Sequence, residues 1–325
     1  MYNDTVMWIR RLILGVAVIS LLACCGGPRD SAPASPSQAA TDLATVRPET
    51  GFSGRILFQS DLDGDNEIYV LTAGGLTKLT DNAWDDRYPR WSPDGKRIAF
   101  SANPRGSFDL FVMGPDGKNL EAVTDTPEDE LDVAWAPDGN SLVFTRDARR
   151  IPGGDEATWT VDLASRRAVE AVPGFHRSNG LADISPVTRG IVFTGKRRLG
   201  GWGIFYFDPR DESVRELAKG GGACRPRFSP DGRKIVYVSS AADGKGDIWV
   251  MNADGSAQER VTARDDTYDY FPSWSPDGTQ IVFCSNARDK YADRGDWGLY
   301  LVSLAGREAV RLLDTPGRDV FPDWR

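Results

Sequence analysis

One short phrase recurs through this chain and leaves few folds open to it. Trp91-Ser92-Pro93-Asp94-Gly95 returns as Trp135-Ala136-Pro137-Asp138-Gly139, Phe228-Ser229-Pro230-Asp231-Gly232 and Trp274-Ser275-Pro276-Asp277-Gly278. A worn copy, Ile184-Ser185-Pro186, keeps the seven-residue step from its proline to the next aromatic, Phe193, that Pro93 keeps to Phe100. Prolines 93, 137, 186, 230 and 276 follow one another at intervals of 44, 49, 44 and 46 residues. Even spacing over so many copies marks an array of like units, so a length of 325 residues does not mean two unrelated domains.

Each unit reads as four antiparallel strands. In the Ser-Pro-Asp-Gly tetrad, proline presets the first central position of a type I turn, aspartate tolerates the second, and glycine accepts the left-handed conformation that follows. The second strand is apolar on consecutive residues, as in Ile98-Ala99-Phe100, Leu142-Val143-Phe144, Ile191-Val192-Phe193, Ile235-Val236-Tyr237 and Ile281-Val282-Phe283. That pattern belongs to a strand buried on both faces, between stacked sheets. A third strand follows, for example Leu110-Phe111-Val112 and Ile248-Trp249-Val250. The first copy lacks its opening strand and begins at Arg55-Ile56-Leu57-Phe58, whereas Phe321-Pro322-Asp323-Trp324-Arg325 is an opening strand with nothing after it. Joined, the two ends make a sixth unit and close a ring with only short edges. The expected fold is an all-β six-bladed β-propeller of four-stranded blades over residues 54–325, closed by pairing of the N- and C-terminal strands.

On these motifs the chain resembles the TolB-type propeller family, over roughly 84% of its length. The motif is informative about fold and weak about activity. The family includes TolB, whose propeller binds partner proteins, and related propellers fused to serine peptidases of the prolyl oligopeptidase group. The resemblance therefore implies a protein- or peptide-binding scaffold, with an envelope protein or peptide as partner. It is not exact. TolB carries a preceding α/β domain and no lipid, and the peptidases continue into a hydrolase domain.

The N-terminal segment reads as an address. Arg10 and Arg11 precede the uncharged run from Leu12 to Ala23, which at twelve residues is short of the ~20 needed to span a bilayer. It ends in Leu21-Leu22-Ala23-Cys24, which resembles a bacterial lipobox, so residues 1–23 are expected to be a signal peptide and Cys24 the lipidated residue. Residues 24–53 include Pro28, Pro33, Pro36 and Pro48 and scarcely a large apolar side chain, the composition of a flexible leash. The expected setting is the outer membrane facing the periplasm, with the propeller monomeric.

Composition trims the chemistry. A single histidine, His176, rules out a multi-histidine metal site within one chain and would have to serve any catalytic triad. A formal charge of -8 and a pI near 4.9 exclude nucleic acid as the main partner, since phosphate binding needs a basic face. Cys224 and Cys284 fall on strands of neighbouring blades and are read as two core thiols rather than a pair.

The short Ser-Pro-Asp-Gly turns and third-to-fourth-strand turns share one face. The opposite face receives the interblade loops and the variable loops 147–156, 196–203, 241–246 and 286–296, where recognition is usually built. At its centre stand Asp86, Glu130, Asn179, Ala223, Asp269 and Asp319, three residues before the proline, or its equivalent, of each opening strand. Two readings compete: an acidic mouth for a basic peptide or a hard cation, and caps on the interblade loops. Tyr88, Phe271 and Phe321 beside them are candidate anchors for a partner. An enzymatic alternative, a hydrolase or lyase of envelope peptides or polysaccharides, would draw its acid and base from Asp86, Glu130 and Asp269. No cofactor is expected. Asp61, Asp63 and Asp65 are weak calcium candidates, dense in oxygen but without EF-hand spacing.

Overall fold

A computed structural model describes residues 52–149, 155–286 and 297–325; the signal peptide, Cys24 and most of the leash lie outside the described residues, as do parts of the 147–156 and 286–296 loops. Among the described residues, 24 strands form six four-stranded antiparallel sheets. Blade 1 runs β24 (Val320–Trp324), β1 (Ile56–Ser60), β2 (Glu67–Thr72) and β3 (Gly75–Lys78), so the last strand of the chain opens the blade that the first strand continues. β1 pairs with β24 through Ile56–Trp324 and Leu57–Asp323, and Arg55 N donates to Arg325 O at 2.5 Å. Blades 2 to 6 each take four consecutive strands. Their inner strands are β4 (Asp86–Trp91), β8 (Asp129–Trp135), β12 (Asn179–Ile184), β16 (Cys224–Phe228) and β20 (Tyr268–Trp274). Inner strands of successive blades touch around the ring, β24 against both β4 and β20.

The repeated phrase does what its chemistry allows. Gly95 N donates to Ser92 O at 2.8 Å to close the turn, Ser92 Oγ donates to Asp94 Oδ1 at 2.6 Å, and Arg97 N donates back to Ser92 Oγ at 2.9 Å. Ser229–Asp231 and Ser275–Asp277 repeat the hydroxyl bond at 2.6 Å. Glycines 95, 139, 232 and 278 sit at φ 69–70°, where a Cβ is disfavoured. The turns are also tied to their neighbours: Arg55 stacks on Trp91 at 4.2 Å and donates to Gly95 O, and Arg97 stacks on Trp135 at 4.6 Å and donates to Gly139 O.

The doubly apolar second strands are buried throughout, and Phe58, Phe100, Phe144, Phe193 and Phe283 are within 1% of complete burial. Each inner strand then breaks register with its partner at one bulge. The bulged residues Tyr88, Asp132, Leu181, Arg225, Phe271 and Phe321 all have φ of 52–58°. The residue following the second-strand aromatic of the preceding blade receives the bulge amide: Gln59 takes Tyr88 N at 3.0 Å, Thr145 takes Leu181 N at 2.9 Å, and Thr194 takes Arg225 N at 3.0 Å. Cys284 stands in the same place and accepts the amide of Phe321. Its thiol is free and buried, so Cys284 and Cys224 do not pair with each other. The reading of two free thiols holds for Cys284 and not for Cys224, which carries a disulfide bond.

Candidate functional site

The ring of six positions at the start of the inner strands is not an open acidic mouth. Asp86, Glu130, Asp269 and Asp319 are 0% exposed, and Asn179 and Ala223 are scarcely more so. At least one oxygen of each carboxylate is engaged at a blade junction, while Asp86 Oδ1, Glu130 Oε2 and Asp269 Oδ2 are buried without a hydrogen bond among the described residues. Asn82 Nδ2 donates to Asp86 at 2.6 Å, Arg146 Nη2 to Glu130 at 2.6 Å, Arg264 Nη2 to Asp269 at 2.7 Å, and Thr315 Oγ1 to Asp319 at 2.9 Å. Asn179 Oδ1 accepts Thr158 N at 2.9 Å. Of the two competing readings, loop capping is the one these contacts describe. Carboxylates meet across the junctions, Glu67 with Asp86, Asp109 with Glu130 and Asp247 with Asp269. Arginines stand beside the second and third pairs, whereas Asp86 is surrounded by Glu67, Asn82 and Thr80. Burial pushes the Asp86 carboxyl up to about 7, and burial does the same to Asp319.

Two residues further along, the bulges close the central channel. Tyr88 and Phe321 meet edge to face at 4.5 Å between ring centroids, Phe271 and Phe321 lie 4.0 Å apart, and Arg225 packs over Phe271 at 4.3 Å while its Nη1 pairs with Asp132 at 3.2 Å. Leu181 completes the ring, and all six side chains are buried. A space of about 10 Å³ remains beside them, room for one water at most. Tyr88, Phe271 and Phe321 are thus a plug, and as partner contacts they are corrected: a positive-φ bulge aims each of these side chains across the channel axis.

The open concavity is at the other end, on the Ser-Pro-Asp-Gly face. A funnel of about 460 Å³ descends between the turns to the plug. Its walls are Trp91, Trp135, Ile184, Phe228, Trp274 and Trp324 with the turn prolines, and its floor is the residue preceding each of these six: Arg90, Ala134, Asp183, Arg227, Ser273 and Asp323. Asp323 Oδ2 accepts Trp91 N at 2.7 Å and Asp183 Oδ2 accepts Phe228 N at 2.8 Å. Trp135 Nε1 donates to Arg90 O at 3.1 Å and Trp274 Nε1 to Arg227 O at 3.1 Å. Blades 1 to 3 therefore repeat in blades 4 to 6 as Asp, Arg, small residue, an approximate two-fold around the axis. Burial raises Asp183 to about 6, with Arg90 pulling the other way.

The remaining candidates disperse. Asp61 Oδ1 accepts Arg318 N at 2.8 Å, while Asp63 pairs with Lys78 and accepts Tyr69 Oη at 3.2 Å. Among the described residues no group of three acidic, histidine or cysteine side chains gathers as a metal cage. His176 is exposed in its interblade loop. Cys24 lies outside the described residues.

Comparison with known proteins agrees with this architecture. A family model described as "TolB beta propeller domain" matches residues 152–294. Dipeptidyl-peptidase 5 of Porphyromonas endodontalis is 27% identical, over 57% of this chain and 34% of its own. Tol-Pal system protein TolB of Francisella tularensis subsp. mediasiatica is 29% identical, over 69% of this chain and 52% of its own. The chain thus spans about a third to a half of the length of these curated relatives. The crystal structure of TolB from Acinetobacter baumannii superposes with a TM-score of 0.70 at 20% identity, over 84% of this chain and 67% of that one, a likeness of fold.

Proposed function

This chain is a TolB-type six-bladed propeller, and on that premise we propose that it is an exported, lipid-anchored scaffold that docks a segment of an envelope protein or peptide. Cys24 is the anchor in this reading and residues 24–53 the leash, with the outer membrane facing the periplasm as the setting. The docking site is the funnel on the Ser-Pro-Asp-Gly face. One observation carries that choice: the channel is filled by side chains from the opposite face inward, while the funnel stays open over about 460 Å³ with charged groups on its floor. Such a volume suits a few residues of an extended chain. The match to a Tol-Pal system protein supports a protein partner in the envelope.

The enzymatic alternative loses its named groups. Asp86, Glu130 and Asp269 lie in blade junctions with no exposed surface, out of reach of a substrate. General acid–base work needs the carboxyl within hydrogen-bond reach of the reacting atom.

Photo-crosslinking in intact cells tests the proposal. Val187, 69% exposed beside the funnel-lining Pro186, and Leu199, 88% exposed at the tip of a loop on the opposite face, are each replaced by a photo-reactive phenylalanine analogue. A discrete adduct from position 187 and none from 199 is expected. Adducts from 199 alone would overturn the choice of face. The intact mass of the same preparation reads the anchor, and an unmodified Cys24 would remove it.

A further inference from the structure

The approximate two-fold of the funnel floor is broken at one atom group. Arg90 and Arg227 stand on opposite blades with matching backbones, each carbonyl capped by a tryptophan Nε1 at 3.1 Å. Arg90 Nη1 is spent on Asp323 Oδ1 at 3.2 Å and Pro322 O at 3.4 Å. The Arg227 guanidinium, half-buried at the boundary between funnel and plug, has no hydrogen-bond or ion-pair partner among the described residues. Asp183 does not serve it: that carboxylate accepts the Phe228 amide at 2.8 Å and forms no ion pair with Arg227 among the described residues. One floor carboxylate is thus bound to Arg90 and the other to a backbone amide, and Arg227 is left uncompensated.

A half-buried guanidinium without an anion is an incomplete pair, because the desolvation of the charge is met by no opposite charge. We propose that Arg227 is a carboxylate-recognition subsite, receiving an acidic side chain or a terminal carboxylate of the segment docked in the funnel. The inference rests on the funnel reading above and names the chemistry of what enters it. It reverses the polarity that the acidic ring suggested, since those carboxylates are buried and the group left for a partner is a cation. The planar fork of arginine matches a carboxylate in two parallel bonds. Asp183 and Asp323 on the same floor disfavour a dianion, which sets a carboxylate above a phosphate. The indoles of Trp91 and Trp274 line the funnel with only 6% and 5% of their residue surface exposed.

The test uses the full-length protein and three probes: an acetylated, amidated Gly-Asp-Gly peptide, its Gly-Asn-Gly isostere, and inorganic phosphate. Wall tryptophan fluorescence reads binding. Wild type should bind the Asp peptide in the millimolar range and roughly tenfold more tightly than the Asn peptide, with phosphate a weak competitor. Arg227→Gln should abolish that preference, and Arg227→Lys should restore part of it. Arg233→Gln, an exposed charge in the turn of the same blade, should leave it intact. Equal binding of the two peptides by wild type, no binding of either, or a preference that survives Arg227→Gln overturns the subsite, and tighter binding of phosphate assigns the cation to phosphorylated ligands instead. The docking face is judged separately: Ala134→Trp fills the funnel, so a crosslink from position 187 that persists in Ala134→Trp sinks the funnel reading. A crosslink lost there but kept in Arg227→Gln leaves the funnel and removes only the subsite.

Discussion

Buried carboxyls, some of them facing a second carboxyl across a blade junction, are expected to set this protein's response to pH. Asp86 and Asp319 are held near 7 and Asp183 and Asp247 near 6, in each case chiefly by burial, against an ordinary value of 3.8. Between about pH 4 and 7 the folded chain therefore holds protons that the unfolded chain has released. Stability from these groups is fully present below the unfolded value and is lost as pH rises through 6 to 7. Carboxyls held low act in the opposite sense and only in stronger acid; Asp208, lowered to about 2 by its bonds from Arg210, is one. Melting temperature should accordingly be higher at pH 5 than at pH 8. Asp319→Asn, which fixes the neutral form, should flatten that slope by the order of 1–3 kcal/mol. A slope unchanged by Asp319→Asn would remove Asp319 as a contributor.

At the scale of strands, the inner strand does three jobs in sequence: it caps the blade junction, plugs the channel at its bulge, and lays the funnel floor. The bulge depends on a borrowed acceptor from the blade before it. Thr194→Val keeps the shape of that side chain and orphans the Arg225 amide, so it should cost about 1–3 kcal/mol in chemical denaturation. A cost near zero would mean that the bulge holds itself. Much of this element was legible in the sequence. The Ser-Pro-Asp-Gly turns, the doubly apolar second strands and the closing Phe321–Arg325 segment each have one physical solution, and the structure adopts it. The candidate site was not legible, for a reason that lies in the bulge. Period-two alternation places Tyr88, Phe271 and Phe321 beside an open mouth, but one extra residue at positive φ turns each side chain across the axis. The signal that could have located the funnel was in view: between repeated neighbours, the position before the blade aromatic, or before Ile184 in its place, reads Arg, Ala, Asp, Arg, Ser and Asp. Variation inside an otherwise repeated motif marks a surface not fixed by packing, and a repeat search that aligns only the shared residues passes over it.

The molecule as a whole rests on the joining of its ends. Asp319, just before β24, serves a junction, and β24 supplies Phe321 to the plug and Asp323 and Trp324 to the funnel, so the last segment of the chain completes every layer of the ring. Val320, Phe321 and Trp324 are each at most 7% exposed, and burial of such side chains is worth about 1.5–3 kcal/mol apiece. Their sum is comparable with the total stability of a typical domain, about 5–15 kcal/mol. Equilibrium unfolding of the chain ended at Arg318, beside the full-length protein, measures this most directly. The closed ring predicts loss of the cooperative transition, or a fall in melting temperature of more than ~10 °C. A truncated chain that melts cooperatively at the full-length temperature would contradict closure, and with it the assignment of plug and funnel.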